Sequence, residues 1–260
     1  MKFPISVFII TKNEADRILD VINAVKEIAD EILVIDSGSD DGTTEIAEKA
    51  GAKVMFNKWN GYGLQKIFGE KQCRNKWILN LDADEEVSWE LSDEIKQIFS
   101  AGSLENFYGF RVKIVNKFRF EKKPKKFAYF YNQLRLYNKD FAGFKDSAVH
   151  DSVVLKDENP EKIGQLKNII HHQSFRSFSH WIEKINSYSQ MQANDSFAKG
   201  KCPSPAKVFL APLLGFFKAY FVRRYFIYGF DGLVYSCFFA FSRFAKMIKT
   251  REVFQEKNYS

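Results

Sequence analysis

Two aspartates separated by one residue, Asp82 and Asp84, follow an apolar run in the segment Leu79-Asn80-Leu81-Asp82-Ala83-Asp84-Glu85-Glu86. Carboxylates that leave a buried strand one residue apart can point at one cation. Mg²⁺ or Mn²⁺ prefers such hard oxygen ligands and often shares them with a diphosphate. The same residues also suit a turn or a helix start, with Asp84 as the cap and Glu85 and Glu86 in the first turn. Two more polar clusters follow short apolar runs: Thr11-Lys12-Asn13-Glu14, and Asp36-Ser37-Gly38-Ser39-Asp40-Asp41-Gly42-Thr43. Asp36 could accept hydrogen bonds from a base or a ribose, although its neighbours also suit a simple turn.

The elements that must position these clusters are legible in the hydrophobic pattern. Residues 5–10, 32–35, 53–56 and 77–81 are short apolar runs of strand length, and residues 14–28, 43–50 and 91–99 show helical spacing. Strands alternating with helices imply right-handed crossovers and an α/β fold with a mostly parallel sheet. Ligands of open α/β sheets bind beyond the carboxyl ends of the strands, so the three clusters are expected to converge on one crevice. After residue 105, stretches 107–115 and 133–137 look like strands, residues 116–132 like a basic, aromatic loop, and residues 175–199 like a helix. Residues 1–200 are expected to form the main domain, and residues 201–260 a helical, apolar and basic tail.

Neither a G-x-G-x-x-G after the first strand nor a G-x-x-x-x-G-K loop is present. A bound nucleotide would therefore be held by carboxylates and metal, which points away from dehydrogenases and ATPases and toward sugar nucleotides. The formal charge is +7, with basic residues at Lys117, Arg119, Lys122, Lys123, Lys125 and Lys126 and again between residues 218 and 251. Basic groups beside aromatic rings suit an anionic surface, either phospholipid or nucleic acid. A nucleic-acid-binding protein would leave the acidic strand ends unexplained, so nucleic acid is not expected as a partner. The three cysteines show no metal spacing and suit free thiols in a reducing compartment. The first residues carry no secretory signal pattern, so the chain is expected in the cytoplasm.

Four other residues invite chemistry. His150 precedes Asp151, and His172 follows the apolar pair Ile169-Ile170. Imidazole can ligate divalent ions, so His172 either joins a metal shell or packs. Arg135 in Leu134-Arg135-Leu136 could pair with a phosphate through its planar fork or form a structural ion pair.

These residues together resemble a known family. Ile9-Ile10-Thr11-Lys12-Asn13-Glu14, Val34-Ile35-Asp36-Ser37-Gly38-Ser39-Asp40-Asp41-Gly42-Thr43 and Leu79-Asn80-Leu81-Asp82-Ala83-Asp84-Glu85 resemble the inverting family 2 glycosyltransferases of GT-A fold. The likeness is closest to the bacterial lipopolysaccharide core glucosyltransferases. It extends through Trp59-Asn60-Gly61-Tyr62-Gly63-Leu64-Gln65-Lys66, similar to that subgroup's loop before the metal-binding strand. It continues through Ala148-Val149-His150-Asp151, His172-Gln173-Ser174-Phe175, Lys184-Ile185-Asn186-Ser187-Tyr188-Ser189 and Tyr228-Gly229-Phe230-Asp231-Gly232.

The resemblance implies transfer of a hexose, first of all glucose from UDP-glucose, to a lipid-linked or lipopolysaccharide core acceptor. It implies donor contacts from Thr11, Asn13, Glu14, Asp36, Gln65, Lys66, Asp82 and Arg135. Metal contacts would come from Asp84, Asp82 and His172, and the catalytic base would be Asp151 with His150 beside it. Asp36-Ser37 departs from the paired acids of many family members, and Asp151 replaces a Glu. A polyprenyl-phosphate transferase is the alternative within the family, and the Val149-His150-Asp151 segment argues against it. In the tail, residues 208–222 and 225–241 are apolar but broken by Lys218, Arg223, Arg224 and Asp231. They suit helices lying in a membrane interface, peripheral on the inner face of the cell membrane, or else a packed helical hairpin.

Overall fold

The structure, a computed structural model, describes residues 2–102, 104–118, 121, 123–145, 152–157 and 159–259 of the 260, with backbone alone for 257–259. The chain forms two compact units, one of residues 1–116 and 130–173, the other of residues 117–129 and 174–260.

The first unit is built on an eight-stranded mixed sheet. Its first four strands in space are β3 (Lys53–Phe56), β2 (Ala29–Asp36), β1 (Phe3–Thr11) and β4 (Trp77–Asp82), all parallel. The helices α1 (Ile18–Val25), α2 (Thr43–Lys49) and α3 (Tyr62–Gln72) supply the crossovers. Beyond β4 lie β7 (Phe130–Asn138), antiparallel to both neighbours, then β6 (Gly109–Asn116), β10 (Ile163–His172) and β5 (Glu85–Val87). A separate pair joins β8 (Ala142–Phe144) to β9 (Val153–Leu155).

The central strands read as continuous apolar runs because both faces are covered. Ile5, Val7 and Ile9 pack into one core with α1 and α4 (Trp89–Ser100), while Phe8, Ile10, Leu33 and Ile78 pack into another on the opposite face. Connectivity then constrains the far edge. β5 begins three residues after β4 ends, yet it pairs with β10 at the other side of the sheet. The sheet must therefore curl until the tip of β10 meets the tip of β4.

Several elements differ from expectation. Residues 62–66 form the first turns of α3 rather than a loop. Strand β7 starts at Phe130, inside the stretch expected to be irregular. Strand β10 spans ten residues where only a short apolar pair stood out. Helix α4 is capped by the Ser88 hydroxyl, which accepts from Leu91 N at 3.2 Å, so Asp84 is not its cap.

The second unit contains α5 (Phe178–Ala198), α6 (Pro205–Phe217), a wide turn at Lys218–Val222 and α7 (Phe230–Tyr259). Its centre is aromatic: Phe118 stacks on Tyr235 at 4.0 Å and meets Tyr228 edge-on at 4.7 Å, while Phe175 stacks on Trp181 at 4.2 Å. Gly232 has a steric reason, since a Cβ there would lie 1.8 Å from the Tyr225 carbonyl oxygen. Along Pro205–Val222 the mean hydropathy is 1.3 and only 11% of the residues are buried. By length and composition this segment could cross a membrane. Phe209, Leu213, Phe217 and Phe221 recur every fourth residue and are all exposed, so they line one stripe of the segment.

Candidate active site

The parallel register sets Thr11 at the end of β1 beside Asp36 at the end of β2, and Ile10 beside Asp82 on β4. The three polar clusters therefore share one edge of the sheet. Their side chains have distinct tasks there.

Asp36 is buried and folds its own loop: Oδ2 accepts from Gly38 N at 2.7 Å and Ser39 N at 2.9 Å. Gly38 has φ +99°, which glycine tolerates without strain. Asn13 completes the loop, its backbone N–H donating to Ser39 Oγ at 2.8 Å and its Oδ1 accepting from Asp40 N at 3.0 Å. Gln65 is fully buried and braces the same region, donating to Ser37 Oγ at 3.1 Å and accepting from Asn57 Nδ2 at 2.7 Å. The Glu14 carboxylate meets Arg17 at 2.5 Å, and Arg17 donates to the Gln173 carbonyl at 2.6 Å. The Thr11 hydroxyl is the exception, being buried with no hydrogen-bond partner among the described residues.

The tip of β4 carries a buried charge cluster. Lys66, almost fully buried on α3, places Nζ 2.9 Å from Asp82 Oδ1. Arg135 on β7 donates to Asn80 Oδ1 at 2.6 Å and to Glu85 Oε1 at 2.6 Å, and lies 3.5 Å from Asp82 Oδ2. Glu85 also accepts from Asp82 N at 3.0 Å. Two cations and two anions therefore neutralise one another, with Lys66, Arg135 and Glu85 out of water and Asp82 partly exposed, the condition under which buried charges are tolerated. Burial raises the Asp82 carboxyl, but the Lys66 and Arg135 charges outweigh it and hold the group below its ordinary value. For Glu85 burial wins over Arg135, and its carboxyl is raised.

Asp84 faces a different neighbour. The curl of the sheet brings His172 Nε2 to 3.4 Å from Asp84 Oδ2, while His172 Nδ1 lies 3.1 Å from Asn116 Oδ1. The second hydrogen bond leaves Nε2 as the nitrogen that faces the carboxylate. Two donors about 2.1 Å from one cation, at octahedral or tetrahedral angles, stand about 3.0–3.4 Å apart, so this pair fits a shared ion. Among the described residues no three His, Cys, Asp or Glu side chains form a complete metal cage. A site that borrows its remaining ligands from a substrate diphosphate needs only one or two protein groups. Asp151 and His150 lie outside the described residues.

Sequence reasoning overlooked Asn80 and Glu85, which organise the cluster. Its one available signal was an amide inside the apolar run 77–81.

The sequence pattern of glycosyl transferase family 2 matches residues 6–156, which contain every one of these strand tips except that of β10. A protein of Rickettsia bellii named "uncharacterized glycosyltransferase" is 47% identical over 254 residues, covering 96% of this chain and 86% of the relative. The lipopolysaccharide core biosynthesis glycosyltransferase LpsC of Rhizobium meliloti is 28% identical over 250 residues, covering 90% and 86%. Among solved structures, glucosyl-3-phosphoglycerate synthase from Mycobacterium tuberculosis shares 22% identity at a TM-score of 0.33, over 44% of this chain and 43% of that one. With more than half its length in the family pattern and nearly all of it aligned to glycosyltransferases, the chain belongs to glycosyl transferase family 2 and is a transferase enzyme.

Proposed function

We propose that the chain is an inverting hexosyltransferase that moves glucose from UDP-glucose to a hydroxyl of a lipid-linked or lipopolysaccharide core saccharide. The observation that carries the reading is the Asp84–His172 pair, 3.4 Å apart beside the buried Lys66–Asp82–Arg135–Glu85 cluster. The likeness to LpsC supports the saccharide acceptor. Thr11, with its unpartnered hydroxyl, and the loop organised by Asn13, Glu14, Asp36 and Gln65 would receive the nucleoside. Lys66 and Arg135 would hold Asp82 toward the ribose.

Asp84 and His172 would hold Mg²⁺ or Mn²⁺, and the ion would supply positive charge to the departing diphosphate. Asp151 would take the proton from the acceptor hydroxyl as its oxygen attacks the anomeric carbon, and the bond to the diphosphate breaks on the opposite face. His150 would orient that base. A positioned base contributes ~10²–10⁴-fold.

The exposed stripe on Pro205–Val222 suits a membrane surface. Eighteen residues at about 1.5 Å each span ~27 Å, short of a ~30 Å hydrocarbon core. Lys207 and Lys218 would reach the headgroups of the inner face of the cell membrane, whereas Arg223 packs on the Phe239 ring.

Asp84→Asn tests the reading. Calorimetric titration with UDP, with and without Mn²⁺, should show the metal-dependent part of the affinity lost, while the melting temperature holds. Hydrolysis of UDP-glucose should fall at least ~10²-fold, the scale of losing several kcal/mol of metal stabilisation. A folded Asp84→Asn protein that binds UDP with the same metal dependence as the wild type would remove the metal site.

A further inference from the structure

A small cavity of about 120 Å³ opens beside the charge cluster in the first unit, lined by Asn80, Arg111, Asn132, Gln133, Arg135 and Ser152 among others. None of its described lining side chains is acidic. The sheet register explains how it forms. Between β6 and β7 the pairing slips, since Phe110 pairs with Leu136 while Arg111 pairs with Leu134. Such a bulge re-aims side chains and is common beside active sites. Here it lets Leu134 and Arg135 both line the cavity, on the side where Arg111 projects.

Asn80 gives the cavity its chemistry. The side chain is fully buried. Arg135 has only donors, so its 2.6 Å contact fixes the Asn80 carbonyl oxygen toward the guanidinium. The amide NH₂ must then face away from Arg135, and it has no hydrogen-bond partner among the described residues. A buried donor left unused on a residue that lines a cavity asks for an acceptor, and proteins seldom keep one without reason.

The charge count favours an anion. Lys66 and Arg135 are balanced by Asp82 and Glu85, whereas Arg111 adds an exposed positive charge at the mouth. The position favours the acceptor over the donor. Ser152 directly follows Asp151, the proposed base, and Asn80 precedes Asp82 by two residues on the same strand face.

We propose that this cavity is an acceptor subsite that takes an oxyanion, a carboxylate or a phosphate, carried on the saccharide next to the hydroxyl to be glycosylated. The proposal rests on the transfer reading above. Asn80 Nδ2 and the Arg111 guanidinium donate to the anion, and the saccharide that carries it is thereby held beside the tip of β4. A neutral saccharide would leave the Asn80 donor without its charged acceptor and bind more weakly.

The test uses the full chain with saturating UDP and Mn²⁺, so that the donor site is filled. Glucuronate, glucose 6-phosphate and glucose are titrated as probes by ligand-observed NMR. One of the two acids should bind at least about tenfold tighter than glucose, the effect of one charge-assisted hydrogen bond. Preference for glucuronate identifies a carboxylate, and preference for glucose 6-phosphate a phosphate. Arg111→Gln should abolish the preference at unchanged melting temperature, and Asn80→Asp, which keeps the Arg135 contact but replaces the donor by an anion, should abolish it in protein whose circular dichroism shows it folded at the assay temperature. Glucose binding as tightly as both acids, no acid binding at all, or folded variants that keep the preference would each overturn the proposal. Wild-type binding of UDP with Mn²⁺, measured first, reports separately on the transfer reading.

Discussion

Replacing Arg135 by methionine isolates the role of the buried cluster. Arg135 is 4% exposed and the guanidinium is the shared partner of Asn80, Glu85 and Asp82. Its removal leaves the buried Glu85 carboxylate and the partly exposed Asp82 against Lys66 alone. Breaking a buried pair from one side costs about 3–5 kcal/mol, because the remaining charge stays desolvated. For a chain of this size that corresponds to a fall in melting temperature of about 6–20 °C. A second substitution, Glu85→Gln, removes the stranded charge. Its amide oxygen can still accept from Asp82 N. The double variant should therefore recover at least half of the loss, giving a coupling energy within the ~0.5–3 kcal/mol range seen for contacting groups. Urea denaturation of the four proteins in one buffer measures the cycle. A double variant no more stable than Arg135→Met would show that the guanidinium does not act by compensating Glu85. The electrostatic account of the β4 tip would then be wrong.

Three further outcomes follow from single contacts. Gly69→Ala in the middle of α3 should destabilise by about 1–3 kcal/mol through overpacking, because the new Cβ would lie 2.6 Å from the buried Phe8 ring. An unhindered helical site would instead gain up to ~1 kcal/mol from the same change, so the sign of the shift in thermal unfolding decides. Burial pushes the Cys73 thiol up to about 12, whereas Cys202 and Cys237 are exposed. Iodoacetamide at pH 8 should label the two exposed cysteines and spare Cys73, whose thiolate fraction there is ~10⁻⁴; mass spectrometry showing equal labelling would contradict its burial. Finally, Leu213→Asp with Phe217→Asp removes two exposed apolar side chains of the Pro205–Val222 stripe, worth about 3–6 kcal/mol of interfacial burial. Sedimentation with anionic phospholipid vesicles should fall by more than ~10²-fold, and unchanged binding would sink the membrane role of this stripe.

The parts of the fold that could be read in the sequence are those whose burial is uniform. β1, β2 and β4 are covered on both faces, so nearly every residue is apolar, and the polar residues at their ends stand out. Helix α1 is legible by its apolar stripe, but turns occupy residues 15–17 and 26–28. The expected helix 14–28 shortens to Ile18–Val25, even though Ile28 stays buried. Strand β10 escaped notice because its burial is mixed along its length, and β5 because three residues carry no period.

Helix α3 was hidden for a different reason, and that reason concerns the site. Its inward residues are Gly63, Gln65, Lys66 and Gly69, none of them large and apolar. Periodicity arguments assume that the buried face of a helix is hydrophobic. Here that face carries a lysine and an amide to the strand tips, with Gly69 allowing close approach to Phe8 on β1. The same inversion hides Asn80 inside an apolar strand and Arg135 inside another. Each polar residue is affordable only because a partner from a distant segment meets it: Lys66 with Asp82, Gln65 with Ser37 and Asn57, Arg135 with Asn80 and Glu85. Such partners cannot be matched from one sequence, since separations of 8 to 55 residues carry no local signal. The strand ends therefore announced where polar groups would gather. Which acid faces His172, and which is held by Lys66 and Arg135, depends on the curl of the sheet that sets His172 against Asp84 and leaves Asp82 to the two cations.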